Sequence, residues 1–304
     1  MTTRVTQGML NTQLLRNINS NLNRMNEGQN QLSTGRKINK PSDDPVGISF
    51  SLRYRSEVSA NEQYESNVDA AISWLDYTDT TLGQANSVIQ RVRELAVEGA
   101  NDTNPQTALD AIKSEIDQLY KQMVTIGNSE FNGKYVFNGQ LTDKPPYTEA
   151  TASTDAVDQG EIKFEIGTGV RLAANIPGNK VFGDADDPNN PGTKDNIFKV
   201  IQDLSAALGA GDTTEVSNII GRLDTQNDRF LEVRADVGAK SNRIELAQSR
   251  LQDISINLQS LQSKTEDADI SEVITNLKTD ENVYQASLSV GSKIISASLI
   301  DFLR

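Results

Sequence analysis

The run DTTEVSNIIGRLDTQNDRFLEVRADVGAKSNRIELAQSRLQDISINLQSL, residues 212–261, decides the fold. Within it Val216, Ile219, Leu223, Gln226, Phe230, Val233, Val237, Lys240, Ile244, Ala247, Leu251, Ile254, Leu258 and Leu261 alternate steps of three and four residues without a break. That spacing is a heptad seam, the mark of a helix lying along another helix. Asp212-Thr213-Thr214-Glu215 ahead of it reads as a capping box, which fixes where the helix starts. At 1.5 Å per residue such a helix is roughly 70 Å long, more than a globular core requires, so it needs long helical partners. Leu223, Phe230, Val237, Ile244, Leu251 and Leu258 are the expected core of that contact. Lys240 in the seam reads as a snorkelling stem at its rim.

Working outward, a helix of similar length is the natural partner. Val68, Ile72, Leu75, Asp79, Leu82, Ala85, Ile89, Val92 and Ala96 keep near-heptad spacing and should end near Gly99. Asp44 can cap its start, with Pro45 in the first turn, where a missing N–H leaves nothing unpaired. Asn104-Pro105 repeats that signal before a third helix carrying Leu109, Ile112, Ile116, Leu119, Met123 and Ile126. Trp74 reads as a packing residue beside the seam. Helical spacing returns at Ile197, Ile201, Leu204 and Leu208.

The pattern between these helices differs. Asn132-Gly133 and Asn138-Gly139 bracket Tyr135-Val136-Phe137, and Asn-Gly favours tight hairpin turns. Residues 141–194 hold most of the prolines. There Ile162, Phe164 and Ile166, then Val170 and Leu172, alternate with polar residues. This stretch reads as a small β-rich insert, expected to decorate the surface of the core rather than to build it.

Each end of the chain is an amphipathic helix set off by a break. Leu15, Ile18, Leu22, Met25 and Leu32 mark the first; Leu288, Ile295, Leu299 and Phe302 mark the last, which Asp269-Ile270-Ser271-Glu272 opens with a second capping box. The two could pair within one chain. A lone pair still exposes much apolar surface, so burial against further copies is the expectation, and these residues form the expected assembly interface. The fold class is therefore mainly α: an elongated bundle of long coiled-coil-like helices built from both chain ends, with a small β-rich insert. Residues 1–44 and 266–304 are the terminal assembly helices, 45–140 and 195–265 the helical core, and 141–194 the insert.

Composition agrees and excludes much chemistry. Aromatics are only 5%, thin for a large globular core. Cys and His are both absent, which removes disulfides, Cys/His zinc sites and every Ser-His or Cys-His nucleophile pair. The chain reads as no enzyme and as carrying no cofactor. Asp184, Asp186 and Asp187 lack the spacing of a calcium loop, so no metal is expected. A net charge of −13 argues against nucleic acid. No apolar run is long enough to span a membrane, and residues 1–7 show no secretory h-region. Residues 1–40 carry Arg4, Arg16, Arg24, Arg36, Lys37 and Lys40 against the single acid Glu27. That asymmetry is either a solvated face or an attraction toward acidic surface on a neighbour.

Several stretches resemble the bacterial flagellin family. Leu32-Ser33-Thr34-Gly35-Arg36-Lys37-Ile38-Asn39 with Asp43-Asp44-Pro45-Val46-Gly47 is similar to the family motif that joins the outermost N-terminal helix to the core. Gln90-Arg91-Val92-Arg93-Glu94-Leu95-Ala96-Val97 resembles a core stretch. Glu266-Asp267-Ala268-Asp269, Tyr284-Gln285-Ala286 and Ser298-Leu299-Ile300-Asp301-Phe302-Leu303 resemble the other end. Residues 133–139, 176–182 and the ending Asp301-Phe302-Leu303-Arg304 resemble the hook–filament junction branch rather than the filament subunit. The resemblance implies a structural subunit forming a ring-like homo-oligomeric layer between a hook-side junction protein and flagellin. It also implies export to the extracellular flagellum without a cleaved signal peptide, and a cytoplasmic export chaperone on the C-terminal helix. The filament subunit itself and a soluble coiled-coil adaptor are the alternatives.

Overall fold

The computed structural model describes residues 7–186 and 195–302, with side chains over 8–186 and 195–293. Within them lie seven helices: α1 (Gln7–Thr34), α2 (Pro45–Gly99), α3 (Gln106–Gly127), α4 (Gly178–Phe182), α5 (Ile197–Ala210), α6 (Thr213–Glu266) and α7 (Ile270–Phe302). Two antiparallel hairpins accompany them, β1 (Glu130–Phe131) with β2 (Lys134–Tyr135), and β3 (Lys163–Gly167) with β4 (Val170–Ala173). The protein is mainly α with a small β-rich insert. Two compact units divide inside the long helices: one holds Met1–Ala60 and Ile254–Arg304, the other Asn61–Asp253. The boundaries at 60/61 and 253/254 differ from those read off the breaks in the sequence. A contact-defined unit follows which stretches of a helix share neighbours, not where the chain turns.

Helix starts follow local chemistry. Asp44 Oδ1 accepts from Val46 N and Gly47 N, with Pro45 first in the helix. Asp212 accepts from Thr214 N and Glu215 N, and Asp269 from Ser271 N and Glu272 N. Each satisfies donors that no helical carbonyl can reach. Asn104 does not cap α3; its amide donates to Glu98 O at the end of α2, and Pro105 stands at the cap.

In the unit spanning 61–253, α2 and α6 run antiparallel. Polar contacts rung the pair at Arg93–Asp224 (2.6 Å), Arg234–Asp79 (3.0 Å), Gln248–Asp69 (2.7 Å) and Asn61 Nδ2 to Leu251 O (3.0 Å). Leu223, Phe230, Val237, Ile244 and Leu251 are all buried in this unit, while Leu258, in the other, is half-buried. Lys240 pairs with Asp236 at its rim, and Trp74 packs edge-on to Phe131. The end of α2 presses on α5: a Cβ at Gly99 would meet Leu208 Cδ2 at 2.5 Å, so a larger residue there requires the buried Leu208 side chain to move.

The insert is not a decoration. Its Phe182 touches Phe137, Tyr147, Phe198 and Phe230, with ring centroids 5.2 to 5.7 Å apart, and Phe182 is fully buried. Ile166, Leu172, Ile176 and Val181 join the same core. Four of the eight phenylalanines thus meet at one point, where the short α4, α5 and α6 supply one each and the loop after β2 supplies Phe137. A run without helical period can still bury its large side chains if its backbone polar groups are satisfied, and asparagines do this here. Asn128 exchanges two hydrogen bonds with the Tyr147 backbone (2.7 and 3.0 Å). Asn175 bridges Ile162 N and Gly160 O. Asn196 caps α5 through Lys199 N while donating to Ser153 O and Asp184 O.

The two Asn-Gly pairs part ways. Asn132 and Gly133 have φ of 51° and 72° and make the two-residue β1–β2 hairpin turn. Asn138 is instead buried, holding Lys144 O and Asp158 N. Asp186, considered above for calcium, pairs with Lys199 at 3.3 Å; Asp187 lies outside the described residues. Among the described residues no group of three or more acidic side chains is placed to hold a metal ion.

Candidate functional site

The unit formed by residues 1–60 and 254–304 gathers four helix ends: the C-terminus of α1, the N-terminus of α2, the C-terminus of α6 and the N-terminus of α7. Gly35 ends α1 with φ of 69°, a left-handed conformation that favours glycine. The chain then pairs as a short antiparallel bridge, with Lys37 N donating to Glu266 O (2.6 Å) and Ala268 N to Gly35 O (3.0 Å). Asp43 tightens the connecting loop by accepting from Asn39 N and Lys40 N, and those two bonds hold its carboxyl below the usual range. Ile38 plugs the turn at 4% exposure, against Gly47.

Glu266, the last residue of α6, sits at the centre with 1% exposure. Its carboxylate accepts from Arg55 Nε at 2.7 Å, from Arg55 Nη2, and from the Ser51 hydroxyl, all on α2; Arg36 Nε lies 3.6 Å away. The Arg55 guanidinium, then Ser51 and Arg36, hold this carboxyl down to about 2, although burial pushes the other way. One buried anion therefore ties the loop after α1 to α2 and α6. Glu266 stands in a stretch that resembles the family, but nothing in the sequence shows its pairing: Glu266 and Arg55 are 211 positions apart, and neither interrupts an apolar pattern.

From this root α1 and α7 run side by side, antiparallel. Their contact seam is Asn11, Leu14, Ile18, Asn21, Met25 and Gly28 against Val273, Leu277, Asp280, Tyr284, Ser287 and Gly291, every one buried or half-buried. It is a thin seam. Two of its positions are glycines, into which the partner leucines fit: Leu277 over Gly28 and Leu14 over Gly291. At its middle Asn21, 2% exposed, donates to Asp280 O at 2.7 Å, and Arg24 joins Asn21 Oδ1 (2.7 Å) to the Asp280 carboxylate (3.0 Å). A buried polar rung of this kind fixes register and lowers stability.

The residues expected to form an assembly interface divide between two roles. Ile18 and Met25 face α7 within the chain. Leu15 and Leu22 are left outside, 60% and 40% exposed, as is Leu288 at 47%. Leu32, near the end of α1, is 38% exposed. Ile295, Leu299 and Phe302 fall on side chains outside the described residues. The single stripe read from the sequence is thus two stripes, because a three-four pattern cannot tell a seam position from the position after it.

The exposed apolar residues are ordered. Leu15, Leu22, Ile274 and Leu288 each follow a seam residue, and in an antiparallel pair such positions share one edge. Leu10, Val283 and Val290 each precede one and share the opposite edge, where Arg24, Gln31, Asn276 and Val283 also line one shallow depression. The terminal pair is therefore apolar along both edges.

A family model described as the bacterial flagellin N-terminal helical region matches residues 5–142, and one described as the bacterial flagellin C-terminal helical region matches residues 220–303. The chain belongs to the bacterial flagellin family and is a structural component of the flagellum. A flagellin of Clostridium tyrobutyricum is 30% identical over 183 residues, 60% of this chain and 46% of that one. The flagellar hook-associated protein 3 of Salmonella typhimurium is 24% identical over 293 residues, covering 90% of this chain and 91% of its own. The crystal structure of flagellar hook associated protein-3 from Legionella pneumophila shares the fold, with a TM-score of 0.62 at 15% identity over 70% of this chain and 98% of that one.

Proposed function

We propose that this protein is the subunit of the junction layer between hook and filament, and that it assembles through α1 and α7. The observation that carries the reading is the pair of apolar edges on the terminal helices. A twofold dimer would cover one edge and leave the other in water. Covering both requires a neighbour on each side, which gives a closed ring or a helical layer of identical chains. The two partners outside the layer are then a hook-side junction protein and flagellin, and the location is the extracellular flagellum.

The junction role rather than the filament role is supported by the sequence of residues 133–139 and 176–182 and by the fold shared with hook-associated protein 3; the sequence match to that protein runs along nine-tenths of both chains, as do matches to flagellins. Before export the same edges are exposed and prone to aggregation, so a cytoplasmic chaperone that grips α7 by its three- and four-spaced apolar residues fits the surface. The test is deletion of the gene. Hooks should persist while flagellin is shed into the medium; loss of hooks, or filaments of normal length, overturns the reading. Regular polymers grown from the purified protein alone would instead favour the filament subunit.

A further inference from the structure

A cleft of about 670 Å³ opens in the unit of residues 61–253, between α2, the β1–β2 hairpin and β3, with Trp74, Phe131 and Phe164 among its walls. That lies within the size range of ligand sites. Trp74 is 7% exposed, yet its indole N–H has no hydrogen-bond partner. An indole N–H can only donate, and a buried one usually finds an acceptor. β3 carries a second unmet demand. Ala174 N donates to Ile162 O, and Phe164 stands opposite Leu172, so Ile162 and Phe164 turn their backbone groups toward β4. By the alternation of an antiparallel ladder, Lys163 turns its amide and carbonyl to the other edge. On that edge Gln140 Nε2 donates to Glu161 O at 3.0 Å and Asn67 Nδ2 to Glu165 O at 2.9 Å. Lys163, between these two clamps, borders the cleft. Lys134 borders it too, exposed and without an ion pair among the described residues, whereas the Lys163 ammonium is held by Glu161 at 3.1 Å.

We propose that this cleft binds an extended peptide segment of a partner protein, one with an apolar residue beside an acidic one. Its backbone pairs with Lys163 and adds one short strand to the β3–β4 sheet. Its apolar side chain lies on Trp74, Phe131 and Phe164, one of its carbonyls accepts the Trp74 N–H, and its carboxylate meets Lys134. An open strand edge beside an apolar pocket is the arrangement that recognises extended peptides: the main chain gives affinity and the pocket selects the side chain. The edge also decides against a small aromatic acid, which could fill the apolar walls and pair with Lys134 but would leave the Lys163 backbone unbonded. The two clamps limit the paired stretch to a few residues, so the contact is short. The site uses neither α1 nor α7, and the proposal does not rest on the junction reading.

Trp74 is the only tryptophan in the chain, so tryptophan fluorescence reports on the cleft alone. The probe is the capped peptide acetyl-Thr-Val-Phe-Asp-Val-Thr-amide, titrated into the full chain. A saturable change in Trp74 emission is expected. With Asn in place of the peptide's Asp, affinity should fall about tenfold, the scale of one charged hydrogen bond. Lys134→Glu should weaken the acidic peptide by at least that factor and reverse the preference toward a peptide with Lys in place of Asp. Its Tm should match that of wild type, because Lys134 is exposed. N-methylating the four central amides of the peptide removes the donors for strand pairing and keeps the side chains; it should weaken binding at least tenfold. No emission change with the acidic peptide overturns the proposal, as does equal affinity of the N-methylated peptide. Phenylacetate is the competing probe: a response to it without a response to the peptide would assign the cleft to a small aromatic acid instead. Every readout uses the purified chain, so the cleft and the junction role fail separately.

Discussion

Replacing Phe182 by alanine tests whether the insert belongs to the core. The side chain is fully buried and contacts four aromatic rings, those of Phe137, Tyr147, Phe198 and Phe230. Truncating a buried Phe to Ala costs about 3–5 kcal/mol, and more when the surroundings cannot collapse into the space. Collapse is hindered here, since Asn128 and Asn196 pin the loops that carry Tyr147 and Ser153. The upper half of the range is expected, about 4 kcal/mol. For a unit of roughly 190 residues, each kcal/mol lowers Tm by about 2–4 °C, so the melting transition of this unit should fall by about 8–16 °C. Scanning calorimetry on the full chain measures it, with circular dichroism at low temperature confirming that the helices still form. Val170→Ala is the control: the residue is in the same insert but 45% exposed, and its substitution should move Tm by less than about 2 °C. Equal, small shifts from both variants would refute the placement of Phe182 in the core and return the insert to the surface.

Leu251→Asp places an unpaired charge on a side chain 5% exposed in the long-helix contact and should destabilise the unit of residues 61–253 by several kcal/mol, read by thermal melting. Leu22→Asp, at a side chain already 40% exposed, should leave melting unchanged and abolish the joining of hook to filament, read by motility complementation. The Glu266 carboxyl is depressed from 4.5 to about 2 in the folded chain, so the stability it gives is complete above pH 4.5 and is lost as the pH falls from there toward 2. The difference in Tm between wild type and Glu266→Gln should therefore shrink across that window, and a difference independent of pH would contradict the ion cluster. If α7 carries the proposed export-chaperone site, a chain lacking residues 270–304 should show no chaperone binding by calorimetry while the unit of residues 61–253 melts as before; undiminished binding would refute that proposal.

The heptad seams were enough to find the long helices. Local capping chemistry at Asp44, Asp212 and Asp269 placed their starts, because a cap is a contact between residues two or three apart. The Asn132-Gly133 turn was legible for the same reason: two consecutive positive φ angles are a demand on residue type. The family motifs lie in these same segments. What the sequence alone determined is thus what short range determines: period, cap and turn.

Tertiary structure decided the rest. Whether Leu15 or Ile18 faces the partner helix depends on rotation, which Gly28, Gly291 and the Asn21–Asp280 rung settle between the two far ends of the chain. Phe182 becomes core because Phe137, Tyr147, Phe198 and Phe230 converge on it from separate segments, and no spacing within residues 141–194 records that convergence. Glu266 reads as one more polar residue near a helix end until Ser51 and Arg55 are brought against it. Burial of a charge is a property of everything that surrounds it, and the surroundings are set only when distant segments of the chain meet.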